Sequence, residues 1–119
     1  MSAFFELLFW LLVGHAIADF AAQSQYMADS KNRHSNPHSK NVWGWILNWH
    51  SLIHAGVVAA CTGYVWIGML EYFAHMTIDY LRCEGKLGQG DRGYHVDQVL
   101  HILCKVVWTI IALSVASHA

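Results

Sequence analysis

Charge is scarce in this chain of 119 residues, of which 13% are Asp, Glu, Lys or Arg, about half the share of an ordinary soluble domain. No charged residue stands between Asn41 and Leu70, and none follows Lys105. Runs of that length can cross a bilayer, which needs roughly 20 helical residues. A soluble helix of similar length needs a polar outer face, and these runs have none. The net charge of −1 leaves no basic surplus for nucleic acid. Cys61, Cys83 and Cys104 lack any CxxC spacing, which excludes a sulfur framework for zinc and argues against a disulfide scaffold. The single proline, Pro37, falls in a polar stretch, so no helix interior is broken by one. No Lys or Arg precedes Lys31, and Glu6 sits early. Residues 1–18 therefore lack the basic start of a secretory signal and read as a retained first helix. Strand signals are missing, and the glycine-rich stretch 85–93 lacks the Lys-Ser/Thr ending of a phosphate loop.

What remains is helix. The pattern predicts helices from Ser2 to about Ala28, Trp43 to Cys61, Tyr64 to Glu84 and Tyr94 to Ser117. The polar loop 29–42 (with Pro37 as turn former), a tight Thr62-Gly63 turn and the glycine loop 85–93 join them. The expected fold is all-α, a single domain over 1–119 and an integral membrane antiparallel four-helix bundle, up-down-up-down. Lys31, Arg33 and Lys40 mark the first loop; Arg82, Lys86 and Arg92 mark the third. By the positive-inside tendency these loops face the cytoplasm of a bacterial inner membrane and both termini face outward. Trp43, Trp45 and Trp49, with Tyr26, Tyr80 and Tyr94, suit an aromatic belt on the loop side.

Into these apolar helices are set four pairs of ionisable residues at one spacing: His15/Asp19, His50/His54, His75/Asp79 and Asp97/His101. Residues four apart lie on one helix face, a turn apart. The pairs fall late in the first and third helices and early in the second and fourth, hence at one end of the bundle. Asp19, His50, Asp79 and Asp97 lie nearer the loops; His15, His54, His75 and His101 lie about 6 Å deeper. One turn further, Glu71 and Lys105 stand at equal depth and are expected to meet as a buried ion pair. Buried groups of this kind are costly without partners. Such a set of nitrogen and oxygen donors suits a divalent metal, Zn first and Mn or Fe as alternatives. Eight groups exceed the need of one tetrahedral ion, so either two ions bind or some Asp residues orient the ligating rings. A metal-free His–Asp network or proton relay is the open alternative. Gln23, Gln98 and Asn48 are neighbouring amides able to support the ligands. His34 and His38 repeat the spacing within the polar loop, and His95 and His118 fall near helix ends.

The runs Gly14-His15-Ala-Ile-Ala-Asp19-Phe20-Ala-Ala-Gln23, Trp49-His50-Ser-Leu-Ile-His54-Ala55, His75-Met-Thr-Ile-Asp79-Tyr80-Leu81 and Asp97-Gln98-Val-Leu-His101 resemble a family of small bacterial and phage membrane proteins. That family is catalogued as a domain of unknown function, number 3307. The resemblance implies a small integral membrane protein, often phage-borne, with no established activity. A more distant, fold-level similarity is to inner-membrane metal-dependent hydrolases with His/Asp pairs on their helices. The leading expectation is accordingly a metal-dependent hydrolase of a lipid-like ester or phosphodiester, with Asp19, Asp79 or Asp97 as base. The rival class is an ion- or proton-conducting, or phage-associated, membrane module. A haem-binding electron carrier is the third and weakest. The expected partners are the lipid bilayer and a small-molecule or lipid substrate, with self-association left open and nucleic acid excluded.

Overall fold

The computed structural model describes residues 2–34 and 39–119. Pro37 and His38, and with them the proline turn and the His34/His38 spacing, lie outside the described residues. Among the described residues the protein is all-helical, with five α-helices and no strand.

Helix α1, Ala3–Ala16, starts where the Ser2 hydroxyl accepts the Phe5 amide. It does not run on to about Ala28 as the sequence pattern suggests. The chain widens into a π-helical turn, Ile17–Ala21, closed by the Ala22 amide on the Ile17 carbonyl at 2.7 Å. Ser24 is then extended, and its hydroxyl accepts the Met27 amide at 3.1 Å. That cap starts a separate short helix, α2, Gln25–Ser30. The polar run Gln23-Ser24-Gln25 interrupts the apolar pattern here, and the Ser24 cap is the signal that competes with one continuous helix.

Three long helices follow: α3, Ser39–Thr62; α4, Val65–Cys83; and α5, Gly90–Ser117. Both α3 and α5 begin about a turn before the points where hydrophobic periodicity becomes clear. Gly63, at φ 81°, makes the tight α3–α4 turn, a left-handed position that favours glycine.

The four long helices form a ring in chain order, α1 on α3, α3 on α4, α4 on α5 and α5 back on α1. Neighbours run antiparallel. Along α1 and α3, Asp19 faces His50 and His54 while Trp10 faces Cys61. Along α4 and α5, Asp79 faces His101 while Glu71 faces Lys105 and Trp108. The helices α3 and α4 approach closely at Gly68, where an added Cβ would stand 2.6 Å from the Ala55 carbonyl oxygen. At the end away from the long loops, Leu11, Val58, Ile67, Trp108 and Ala112 make an apolar core.

The interior at the loop end is polar. His15, Asp19, His50, His54, Glu71, His75, Asp79, Asp97, His101 and Lys105 are all buried, while Phe5, Phe9, Phe73, Val65 and Trp45 are more than half exposed. Two helical stretches, Ala3–Ala21 and Gly90–Ser117, are long and apolar enough to cross a membrane.

Candidate metal centre

Each long helix delivers its ionisable pair to one place. Periodicity alone does this for α3, α4 and α5, because residues four apart share a face. On α1 the π turn adds width between His15 and Asp19, whose Nε2 and Oδ2 lie 3.7 Å apart. Such turns re-aim a side chain that a regular helix would direct elsewhere.

The imidazoles form a stack. His54 and His75 lie face to face with centroids 3.7 Å apart; His75 and His101 follow at 4.3 Å. His50 meets His54 edge-on at 4.7 Å. His15 stands 5.3 Å from His54 and 5.2 Å from His101.

Carboxylates cap the stack. Asp19 Oδ1 lies 3.4 Å from both His50 Nε2 and His54 Nε2. Asp79 Oδ2 lies 3.5 Å from His50 Nε2 and 3.4 Å from His75 Nε2, and its Oδ1 lies 3.1 Å from His101 Nε2. Asp97 Oδ1 stands 3.5 Å from His101 Nε2. Most of these separations exceed a good hydrogen bond. They match instead the edge of a tetrahedron: donors bonded to zinc at about 2.0–2.1 Å lie about 3.3 Å from one another.

Hydrogen bonding gives the same picture from the other side. Both ring nitrogens of His50 and of His75, His54 Nε2 and Asp97 Oδ1 are buried without a hydrogen-bond partner. Buried polar atoms left unpaired are costly and rare, and several at one point form a donor set that could hold a metal ion. Three donor groups can be drawn: Asp19 with His50, His54 and His75; Asp79 with Asp97 and His101; and Glu71 with His75 and His101. Within each, the donor atoms lie inside 4.8 Å of one another.

Other side chains hold the donors in place. The Gln98 amide donates to Asp19 Oδ2 at 2.9 Å and to Asp97 Oδ2 at 3.1 Å, and its Oε1 faces His15 Nε2 at 3.2 Å. Gln23 donates to the Asp19 carbonyl at 2.9 Å. Asn48 faces away from the centre and accepts from the Tyr72 hydroxyl. Beneath the stack, Glu71 Oε1 faces His75 Nδ1 at 3.4 Å and accepts from Lys105 at 2.7 Å, while Oε2 accepts from Trp108 at 2.5 Å.

Lys31 and Trp108 are participants that the sequence pattern left unassigned. Lys31, just past α2, donates to Asp79 Oδ2 at 2.7 Å. Burial works against its charge, but the Asp79 carboxylate overrides burial and raises the ammonium pKa above its ordinary value. Only the Ser24 cap, by ending the first helix early, could have returned Lys31 to the site. Trp108 was legible, since Asp97, His101, Lys105 and Trp108 follow one face of α5 at helical spacing.

A cavity of about 700 Å³ opens from the loop side onto this centre, with Asp19, Asp97, Gln98, Lys31, Arg82 and Tyr94 among its walls. Beside it, Glu84 binds Arg33 at 2.6 Å and His34 at 2.5 Å. Those contacts hold the Glu84 carboxyl down to about 2.

The model of a family described as protein of unknown function (DUF3307) matches residues 7–119. No curated protein and no solved structure matches the chain.

Proposed function

The chain belongs to the DUF3307 family, and we propose that it is an integral membrane four-helix bundle that holds a divalent metal ion for hydrolysis. The membrane part is supported by the inverted distribution of polarity. Buried polar groups fill the loop end while apolar side chains cover the outside. Among the described residues, Ala3–Ala21 and Gly90–Ser117 have the length and apolar character of spans, and α3 and α4 do not pass that measure. Their outward faces, with Trp45, Trp49, Trp66, Leu70 and Phe73 exposed, are nonetheless apolar. The basic residues of the loops at 29–42 and 85–93 support a cytoplasmic position for both by the positive-inside tendency.

The observation that carries the metal is the set of buried imidazole nitrogens without hydrogen bonds: His50 Nε2 and His54 Nε2 lie 3.4 Å from Asp19 Oδ1, and the donor atoms of their group all fall within 4.8 Å of one another. Asp19, His50, His54 and His75 would hold the ion, with Zn as the first choice and Mn or Fe as alternatives. Bound there, it would supply Lewis acidity and a water of lowered pKa. Asp19 faces two ligand nitrogens and Asp79 is tied to Lys31 and His101. Asp97 lines the cavity, and its Oδ1 accepts no hydrogen bond, with His101 Nε2 3.5 Å away. We therefore assign the base to Asp97, which takes the proton of the attacking water and returns it to the leaving oxygen. The cavity wall combines the aromatic Phe20 and Tyr94 with the cationic Lys31 and Arg82 and with the acidic groups of the centre. That combination fits a lipid-like ester or phosphodiester entering from the loop side.

Elemental analysis of detergent-purified protein tests the proposal. Wild type should carry stoichiometric metal, and His54→Ala and His75→Ala should lose it. Asp97→Asn should keep the metal but lose hydrolysis of lipid esters or phosphodiesters. A wild-type protein without stoichiometric metal would sink the reading.

A second reading is favoured by the polar ladder beneath the stack. From His75 it passes to Glu71, Lys105 and Thr109, all buried. Such a series suits proton or ion movement through a metal-free network. Flux in proteoliposomes that persists after chelation would favour it over hydrolysis. Haem finds no slot here, because His54 and His75 are already stacked on each other.

A further inference from the structure

We propose that the Arg82 guanidinium receives the non-bridging oxygens of an anionic phosphodiester, so that the substrate of this centre is a phosphodiester and not a carboxyl ester. The inference rests on the hydrolase reading above and narrows its substrate class.

Arg82 stands in the last turn of α4 and Tyr94 near the start of α5. Arg82 comes three residues after Asp79, and Tyr94 three residues before Asp97. Each therefore shares a helix face with its carboxylate and lies about 4.5 Å nearer the loops at 1.5 Å per residue. The two side chains meet there, with Arg82 Cζ 5.9 Å from the centroid of the Tyr94 ring. Gly93 leaves room for the guanidinium, since a Cβ at that position would stand 3.1 Å from Arg82 Nε. Arg82 and Tyr94 both line the cavity of about 700 Å³, one turn outward of the metal centre.

The other basic side chains of the cavity wall are committed, Lys31 to Asp79 and His34 to Glu84. The carboxylates are held as well: Asp19 and Asp97 accept from Gln98, and Glu84 also binds Arg33. Arg82 is half-buried, yet among the described residues no carboxylate pairs with it and no group accepts a hydrogen bond from it. Contact with the tyrosine ring uses the face of the guanidinium and leaves its N–H edge free. A carboxyl ester is neutral and has no use for that edge. A phosphodiester presents two non-bridging oxygens sharing one negative charge, which match the guanidinium fork. In the reaction the water oxygen bonds to phosphorus as the P–O bond to the leaving alcohol breaks. The water proton passes by way of Asp97 to the leaving oxygen, and the charge of the non-bridging oxygens stays on Arg82.

The test titrates full-length, detergent-purified protein with dihexyl phosphate and with dimethyl phosphate. Arg82→Gln should weaken binding about 10–100-fold, with metal content and far-ultraviolet circular dichroism unchanged. Arg82→Lys keeps the charge without the fork and should fall between. Tighter binding of the dihexyl than of the dimethyl ester assigns the diester to a lipid, and equal binding assigns it to a water-soluble compound; either supports the inference when it depends on Arg82. Short-chain phosphatidylglycerol carries both bond types. Cleavage at phosphorus should exceed release of fatty acid, and Arg82→Gln should lower it. Should Arg82→Gln fail to fold, wild type still decides: dihexyl phosphate should protect Arg82, and not the exposed Arg92, from phenylglyoxal, as read by peptide mass spectrometry. Equal diester affinity in wild type and folded Arg82→Gln, unprotected Arg82, or release of fatty acid alone overturns the inference and leaves the hydrolase reading intact. Wild type without metal removes the hydrolase reading itself.

Discussion

Gln98 touches three members of the centre while carrying no charge of its own, which makes it a clean probe of positioning. Its amide orients Asp19 and Asp97 and its oxygen accepts from His15. Groups that orient ligands typically contribute about 10–100-fold to metal affinity. Gln98→Leu should therefore weaken metal binding by about that factor with helix content unchanged, as read by chelator competition. Unchanged affinity would show that Asp19 is held without it. The Glu71–Lys105 pair calls for a different experiment, because both partners are buried. Lys105→Met alone leaves the Glu71 charge uncompensated and should cost about 3–5 kcal/mol in detergent unfolding. Adding Glu71→Gln should recover most of that loss, since the stranded charge is then gone.

At the scale of the element, close approach and cap chemistry matter more than propensity. Helices α3 and α4 meet at Gly68, where a Cβ would lie 2.6 Å from the Ala55 oxygen and 2.9 Å from Ala59 Cβ. Gly68→Val should destabilise the protein by about 1–3 kcal/mol or more, because helix backbone must move. Gly56 on α3 has open space around it. Gly56→Ala should be neutral or stabilising by up to about 1 kcal/mol, which separates steric conflict from glycine's intrinsic flexibility. The segment around α2 should answer to pH. Glu84, held by His34 and Arg33, has its pKa lowered from 4.5 to about 2. A depressed carboxyl stabilises the fold fully above its unfolded value, and the contribution fades as pH falls through the folded one. Hydrogen exchange in residues 25–34 should therefore accelerate as pH falls from 4.5 toward 2, after correction for intrinsic rates. Glu84→Gln should remove that pH dependence.

The whole molecule shows what a single sequence can and cannot convey. The ion-bearing faces were legible because helical spacing repeats in α3, α4 and α5, and Glu71 and Lys105 followed from counting one more turn. The break after Ala21 is marked in the sequence by Gln23-Ser24-Gln25 alone, a short polar run that also fits the outer face of a continuous helix, and no sequence pattern marks the π turn before it. Lys31 was lost for the same reason: read as loop charge, it belonged to an element whose return depended on that break. The membrane question also belongs to this scale. Among the described residues, Ala3–Ala21 and Gly90–Ser117 pass as spans by length and hydropathy, and a two-span protein made of them would have to move α3 and α4 from α1 and α5 to the loop side. In that case Trp66, Phe73 and Leu52 would face water. The four-span reading places those side chains in lipid and sends the α3–α4 turn across the membrane. Cysteine labelling separates the two. After Cys61, Cys83 and Cys104 are replaced by alanine, single cysteines at Ser2, Thr62, Lys86 and Ser117 are tested with a membrane-impermeant maleimide. Both readings put Ser2→Cys and Ser117→Cys on one side and Lys86→Cys on the other. Thr62→Cys decides, because four spans label it with the termini and two spans label it with Lys86→Cys. Labelling with the termini is the expected result, since burying the outer faces of α3 and α4 in lipid removes large apolar surfaces from water.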